Sequence, residues 1–244
     1  MFEEVVGMKK FYEKSEIWFA VMWIIIYVVG MGTLRQNFGD DSIFSLLGLL
    51  AIATVITLFI FKNGLNVKYG FVKVNNFKKY LFFIPLLILM TVNFWAGFLM
   101  QYSFPGQLFA VVSMALIGYV EELIFRGLLF KAMEKNNVKA AIIVSAITFG
   151  AGHIINLLTG NASFDTFLQI AYAIAIGFAF VMVFYKSKSL WPCIITHSFI
   201  DVTSKFSGEL SKTMNIVITV AIIVVAGGYA FYLSRINNVE TEEK

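Results

Sequence analysis

The sequence is poor in charged residues, in cysteine and in histidine. Only 14% of its 244 residues are charged, whereas an average soluble domain carries about a quarter, so the chain is not a soluble domain. The single cysteine, Cys193, excludes an internal disulfide and any cysteine-rich metal cluster. Neither of the two histidines belongs to a His-Glu-x-x-His pattern, so that zinc peptidase motif is absent.

Long runs of apolar residues, almost free of charge, recur along the sequence. Hydrophobic residues make up 59% of the chain, and the runs approach the ~20 residues that an α-helix needs to cross the hydrocarbon layer. The pattern predicts an all-α polytopic membrane protein of about eight transmembrane helices, forming a single membrane domain over 1–244. The predicted spans are 17 to 34, 43 to 61, 80 to 100, 108 to 130, 139 to 158, 167 to 185, 190 to 206 and 215 to 234.

The basic residues predict the orientation. Lys and Arg near the ends of spans are retained in the cytoplasm, and fifteen of the nineteen basic residues fall on the side that holds the N-terminus. The opposite side has three, Arg35, Lys205 and Lys212, and Arg126 lies within a span. We therefore expect both termini in the cytoplasm. The fifteen are Lys9, Lys10, Lys14, Lys62, Lys68, Lys73, Lys78, Lys79, Lys131, Lys135, Lys139, Lys186, Lys188, Arg235 and Lys244.

The segment before the first span is charged. Its apolar residues share one helical face, which favours a short helix on the membrane surface over residues 1–16, with a frayed terminus as the alternative. No small-residue cleavage pattern follows the first apolar run, so we expect that span to remain in the mature protein. The net charge of +4 follows from membrane topology, and no nucleic-acid partner is expected.

Ionisable residues inside spans indicate function, because each costs at least ~2.5 to 3.5 kcal/mol near the bilayer centre. Three spans carry them in short motifs. The motifs are Glu121-Glu122-x-x-x-Arg126, Phe149-x-x-x-His153 and His197-x-x-x-Asp201. The separations Glu122 to Arg126, Phe149 to His153 and His197 to Asp201 are all i,i+4, which puts each pair on one helical face. Counted from the cytoplasmic ends of their spans, Glu121, His153 and His197 lie at roughly similar depths. We therefore expect the motifs to converge in one polar cavity within the helix bundle, near the cytoplasmic half of the membrane.

Each element also has a simpler interpretation. Glu122 and Arg126 could form a purely structural ion pair within their helix, and a histidine inside the membrane often only joins two helices by a hydrogen bond. The coincidence of three motifs at similar depth favours a functional site. A proton-coupled transporter stays as an alternative from another class, since buried Glu, His and Asp also form proton relays.

The ordered trio of motifs resembles the signature of the CPBP intramembrane proteases. That family includes the type II CAAX prenyl endopeptidases and the Abi, or bacteriocin-processing, proteins. The three motifs span residues 121 to 201, and Gly118 and the stretch Phe125-Arg126-Gly127 also resemble the family. The resemblance implies a catalytic core over 108–206. A non-catalytic scaffold or immunity protein with the same fold is the remaining alternative.

The resemblance implies roles for six residues. Glu121 would be the general base that activates water, His153 would assist it, and His197 and Asp201 would lie where the peptide oxyanion develops. Glu122 and Arg126 would organise the motif helix. Family members often have Asn where this chain has Asp201, although Asp is also familiar there, and an ionised Asp cannot donate a hydrogen bond to an oxyanion. Asp201 could be protonated, or it could accept from His197 and fix the tautomer of that ring.

A metal ion is an open question at this level. Glu122, His153 and His197 are residue types that could bind zinc or another divalent metal, and the family is often called a metalloprotease family. A metal-free mechanism based on glutamate has been argued for its prenyl-protein members, and we expect that mechanism here.

The resemblance implies a peptide or protein substrate at the lipid bilayer. The substrate would be either a lipidated protein or a bacteriocin or signal precursor. Abundant Ile, Lys, Asn and Phe indicate an AT-rich genome, which favours a bacterial cell membrane and the second kind of substrate.

Overall fold

The computed structural model describes residues 2–154 and 163–236. Helices dominate the described ranges, which contain no β-strand. The chain is an integral membrane protein with an all-helical fold. The helices are α1 (Phe2–Lys14), α2 (Glu16–Phe38), α3 (Ile43–Lys62), α4 (Ile84–Ala96), α5 (Gly106–Glu134), α6 (Val138–Ile154), α7 (Ser163–Ser187), α8 (Trp191–Ser204) and α9 (Lys212–Arg235).

Polar caps set where several helices begin. The Ser15 hydroxyl accepts from the Trp18 N–H at 3.3 Å at the start of α2. The Asn137 side chain accepts from the Ala140 N–H at 3.0 Å, and Ser211 accepts from the Met214 N–H at 3.2 Å, at the starts of α6 and α9. Each cap satisfies a backbone donor that the helix itself leaves unpaired.

Five of the described helices are long and apolar enough to cross a membrane: α2, α3, α5, α7 and α9. The other three predicted spans correspond to the shorter helices α4, α6 and α8. In α4, the α-helix ends at Met90 and a 3-10 helix follows over Val92–Ala96. The predicted end of the fifth span, 155 to 158, lies outside the described residues. Eight spans with both termini inside therefore stay a prediction.

The predicted N-terminal helix is present as α1, and its membrane-surface location stays a prediction. Tyr12 near its end is buried and packs against Phe19 and Phe59 with ring centroids 5.3 Å away in each case. Lys68 donates to the Tyr12 hydroxyl at 2.6 Å and to Glu16 at 2.6 Å. These contacts attach α1 to the loop after α3.

Small residues bring the motif helices together. A Cβ added to Gly118 on α5 would lie 2.5 Å from the backbone nitrogen of Ser198 on α8. The Ser198 hydroxyl donates to the Ala115 carbonyl at 2.8 Å across the same crossing. A Cβ at Gly150 on α6 would likewise lie 2.9 Å from the Ile174 nitrogen on α7. The motif helices therefore pack closely enough for their polar side chains to meet.

Candidate active site

A cavity of about 290 Å³ lies between α2, α4, α5, α6, α7 and α8. Four of the six residues singled out in the sequence line it: Glu121, His153, His197 and Asp201. The cavity is large enough for a short stretch of peptide together with water. Its other walls are formed by Tyr27, Val28, Met31, Gly32, Arg35, Asn93, Met114, Ile117, Phe125, Phe149, Gly152, Gln169, Tyr172, Ala173, Ile176, Ile200, Ser204 and Lys205.

Glu121 is held in the cavity wall by a hydroxyl from another helix. The Tyr27 hydroxyl donates to Glu121 Oε1 at 2.5 Å. The second oxygen, Oε2, lies 3.8 Å from His197 Nε2. The Glu121 side chain is 13% exposed, so the carboxylate is both fixed in orientation and accessible from the cavity.

His197 is oriented from behind by Glu122. His197 Nδ1 lies 2.8 Å from Glu122 Oε1, which also accepts from Arg126 Nη1 at 2.8 Å. The Glu122 carboxylate has no proton to donate, so it accepts from His197 as well as from Arg126, and Nδ1 carries a proton. The Nε2 edge then faces the cavity, where Asp201 Oδ2 lies 3.4 Å away.

Glu122 and Arg126 form an ion pair whose side chains are fully buried. The pair forms the predicted i,i+4 contact, but neither residue lines the cavity. The Arg126 guanidinium lies 4.1 Å from the centroid of the Phe149 ring, and Nη2 donates to the Gly177 carbonyl at 3.4 Å. The pair supports His197 and joins α5 to α6 and α7, which makes these two residues positioning groups in the geometry.

His153 reaches the same cavity from a different wall. It lies in a 3-10 turn over Gly152–Ile154 that ends α6. The Phe149 ring packs against both histidines, with centroid distances of 5.9 Å to His153 and 5.4 Å to His197. The two imidazoles thus face one space from either side of a phenylalanine.

The three residues considered as metal ligands do not assemble into a ligand set. Among the described residues, no group of three His, Cys, Asp or Glu side chains is arranged to hold a metal ion. Glu122 contacts the Nδ1 edge of His197 and does not line the cavity, whereas His153 and His197 both line it. One ion therefore cannot bind Glu122, His153 and His197 in this arrangement, and no step is assigned to a metal.

Tyr27 was not singled out in the sequence, although it makes the shortest described contact to Glu121. It lies in a π-helical segment of α2, Ile26–Met31. A second π-helical segment, Leu123–Phe130, directly follows Glu121 and Glu122 on α5. Such segments recur at functional sites because they redirect side chains from the regular helix. A phenol within an otherwise apolar span was the sequence feature that could have indicated a role for Tyr27.

We expect Tyr27→Phe to slow substrate cleavage about tenfold to a hundredfold, because a hydrogen bond to a charged group contributes ~1.5 to 3 kcal/mol. The loss should fall on kcat rather than KM, since the hydroxyl contacts the carboxylate and orients it. Tyr119→Phe is the matched control: it removes the contact with the Thr57 hydroxyl at 2.6 Å, away from the cavity, and should leave kcat unchanged. An unchanged kcat for Tyr27→Phe would show that the Tyr27 hydroxyl has no role in orienting Glu121 for catalysis.

Comparison with known families identifies the segment that carries the motifs. Residues 103–203 match the family model described as type II CAAX prenyl endopeptidase Rce1-like. The comparison with curated proteins gave no match. The family match includes all six candidate residues and leaves Tyr27 outside it. The match supports membership of the CPBP family of membrane proteases, for which the substrate is a peptide or protein.

Proposed function

We propose that this protein is an intramembrane endopeptidase that hydrolyses a peptide bond of a membrane-associated peptide or protein, with Glu121 activating the water. The observation that carries the proposal is the setting of Glu121. Its carboxylate is oriented by Tyr27, lies on a cavity wall and has His197 Nε2 3.8 Å from its second oxygen. A positioned carboxylate beside a cavity that holds both water and peptide is what general-base hydrolysis requires.

The proposed reaction uses one water and no group outside the chain. Glu121 takes a proton from the water while the water oxygen attacks the carbonyl carbon of the scissile bond. The tetrahedral intermediate collapses when the C–N bond breaks, and Glu121 passes the proton to the leaving amine. His153 is on the cavity wall, where it can donate to the developing oxyanion. His197 can donate from Nε2 as an imidazolium, with a proton on each ring nitrogen, because its two edges face the carboxylates of Glu122 and Asp201.

The other polar residues support these groups. Asp201 lies 3.4 Å from His197 Nε2, so it helps to orient that edge of the ring. Glu122 and Arg126 fix the opposite edge and keep Nδ1 protonated. A buried network of this kind reduces the motion that the catalytic groups must lose before reaction.

The proposal is tested by comparing peptide termini in membranes of cells with and without this chain. Quantitative mass spectrometry should find new termini, together with loss of the intact precursor, only in cells that contain the protein. Reintroducing the wild-type chain into cells that lack it should restore those termini. Identical sets of termini in the two kinds of membrane would contradict a peptidase, and would favour a scaffold.

Metal removal separates the glutamate mechanism from a metal-dependent one. We expect activity to survive prolonged treatment with a chelator, because Glu122, His153 and His197 do not share one ligand-binding space. We also expect Asp201→Asn to be tolerated, since an amide can accept from His197 and donate to an oxyanion. An inactive demetallated enzyme that stoichiometric zinc restores would contradict this account of the mechanism.

A further inference from the structure

Among the described residues, the cavity extends from the site toward one end of the helix bundle. Along α2 its lining residues run from Tyr27 to Arg35, and along α8 they run from His197 to Lys205. Each run covers nine residues, and the eight steps between its ends correspond to roughly 12 Å of helix at 1.5 Å per residue. Tyr27 and His197 at the inner end are buried, whereas Arg35 and Lys205 are partly exposed. We call the end that holds Arg35 and Lys205 the cavity mouth.

The path from the site toward the other end is filled by packed apolar side chains. The Phe180 ring lies 5.8 Å from the His197 ring, and its carbonyl accepts from Cys193 Sγ at 3.3 Å. One helical turn further along α7, Phe184 is also buried. These side chains leave no described space that continues the cavity in this direction.

The loop after α3 covers that closed end. A Cβ on Gly70 would lie 2.4 Å from the Phe184 ring, and the Gly70 carbonyl accepts from the Leu190 N–H at 2.8 Å. The Ser189 hydroxyl donates to the Val72 carbonyl at 2.6 Å. This loop belongs to the lysine-rich segment from Lys62 to Lys79. The site is therefore closed on the lysine-rich side of the molecule.

The cavity mouth has the character of a membrane surface. Asp40 accepts from Arg35 at 2.5 Å and from Lys205 at 2.8 Å. Burial raises the pKa of Asp40, but its hydrogen bond to Arg35 and the charges of both basic residues outweigh burial and hold that pKa below its ordinary value. Asp40 is therefore ionised at neutral pH. A charged cluster of this kind fits a location where water or lipid headgroups solvate it.

The loop before α5 adds aromatic side chains beside the mouth. Phe98 is 70% exposed and Phe104 is 78% exposed. The Leu99 N–H donates to the Phe206 carbonyl at 2.8 Å, which attaches this loop to the end of α8. Exposed phenylalanine rings beside an ionised cluster fit a location where the rings contact lipid and the charges stay in water.

We infer that the site takes its substrate from the lysine-poor side of the membrane. Because fifteen basic residues lie on the opposite side and three on this one, the mouth faces away from the cytoplasm. The substrate class is a peptide segment exposed at the outer leaflet, in an exported peptide or an outer-leaflet-anchored protein, and not a lipidated protein in the cytosol. This assignment of substrate rests on the proposed function.

Thiol labelling tests the direction of access, and it does not depend on catalysis. The wild-type chain is the blank, because its single cysteine is fully buried. Ser204→Cys and Val28→Cys each place a small thiol on the cavity wall. Asn136→Cys places one on an exposed turn at the lysine-rich end. The probe is a membrane-impermeant maleimide, added to intact cells and to permeabilised cells.

The expected result is full labelling of Ser204→Cys or Val28→Cys in intact cells, with Asn136→Cys labelled only after permeabilisation. Labelling of the cavity thiols only after permeabilisation, or in neither preparation, would overturn the inference. Two cavity variants are used so that, if one of them misfolds, the other still tests the inference. The new peptide termini should also lie in extracytoplasmic segments, and cytosolic termini would overturn the substrate class. Correct labelling without any new termini would contradict the proposed function alone.

Discussion

Replacing Glu121 with Gln is expected to abolish processing while the protein still accumulates in the membrane. The amide is nearly isosteric and its oxygen can still accept the hydrogen bond that Tyr27 donates at 2.5 Å to this side chain. It cannot take a proton from water, and general-base catalysis typically contributes 10² to 10⁴ in rate. Cleavage should be followed by the ratio of product to precursor at equal protein levels.

Glu13→Gln is the matched control for this substitution. Glu13 is exposed on α1, and its only described ion pair joins it to Lys9 at 3.9 Å. The control should process substrate at the wild-type rate, since an exposed pair of this kind contributes little. Normal turnover by Glu121→Gln would eliminate Glu121 as the base and leave the water without an activating group.

Replacing Arg126 with Met is expected to destabilise the protein by about 3 to 5 kcal/mol, because it leaves the fully buried Glu122 carboxylate without its ion-pair partner. The stability should be measured by denaturant unfolding in detergent. Activity should fall as well, since Glu122 Oε1 is shared between Arg126 and His197. Arg235→Met at the exposed end of α9 is the matched control and should change stability by less than about 0.5 kcal/mol.

A double variant separates the two effects of the ion pair. Glu122→Leu combined with Arg126→Met removes both charges and should recover much of the lost stability, because apolar pairs of similar size replace buried ion pairs well. It should remain inactive, since His197 then has no acceptor for Nδ1. A stable and fully active double variant would show that the pair has a structural role only.

Local contacts of the site could be predicted from the sequence. Residues four apart on a helix share a face, and the structure has Glu122 and Arg126 at 2.8 Å, His197 and Asp201 at 3.4 Å, and the rings of Phe149 and His153 at 5.9 Å. The scarcity of charge also sufficed to predict an all-helical membrane protein. Both conclusions depend only on helix geometry and on the cost of charge in lipid.

Contacts between distant segments could not be predicted in this way. Tyr27 and Glu121 are 94 positions apart, and no periodicity in either helix specifies that they meet. Nor does the sequence reveal which edge of His197 faces the cavity, because Glu122 selects it through contact between α5 and α8. Hydropathy alone also treats each span as one straight helix, whereas α4 changes from α-helical to 3-10 geometry near Thr91.

The most direct test of the account is cleavage by the purified protein in liposomes. A precursor identified from the membrane comparison would be reconstituted with the wild-type chain alone, with Glu121→Gln, or with Glu13→Gln. The account predicts that the wild-type and Glu13→Gln proteins produce the terminus seen in cells, and that Glu121→Gln produces none. A folded wild-type protein that leaves the precursor intact would contradict the claim that this chain is itself the peptidase.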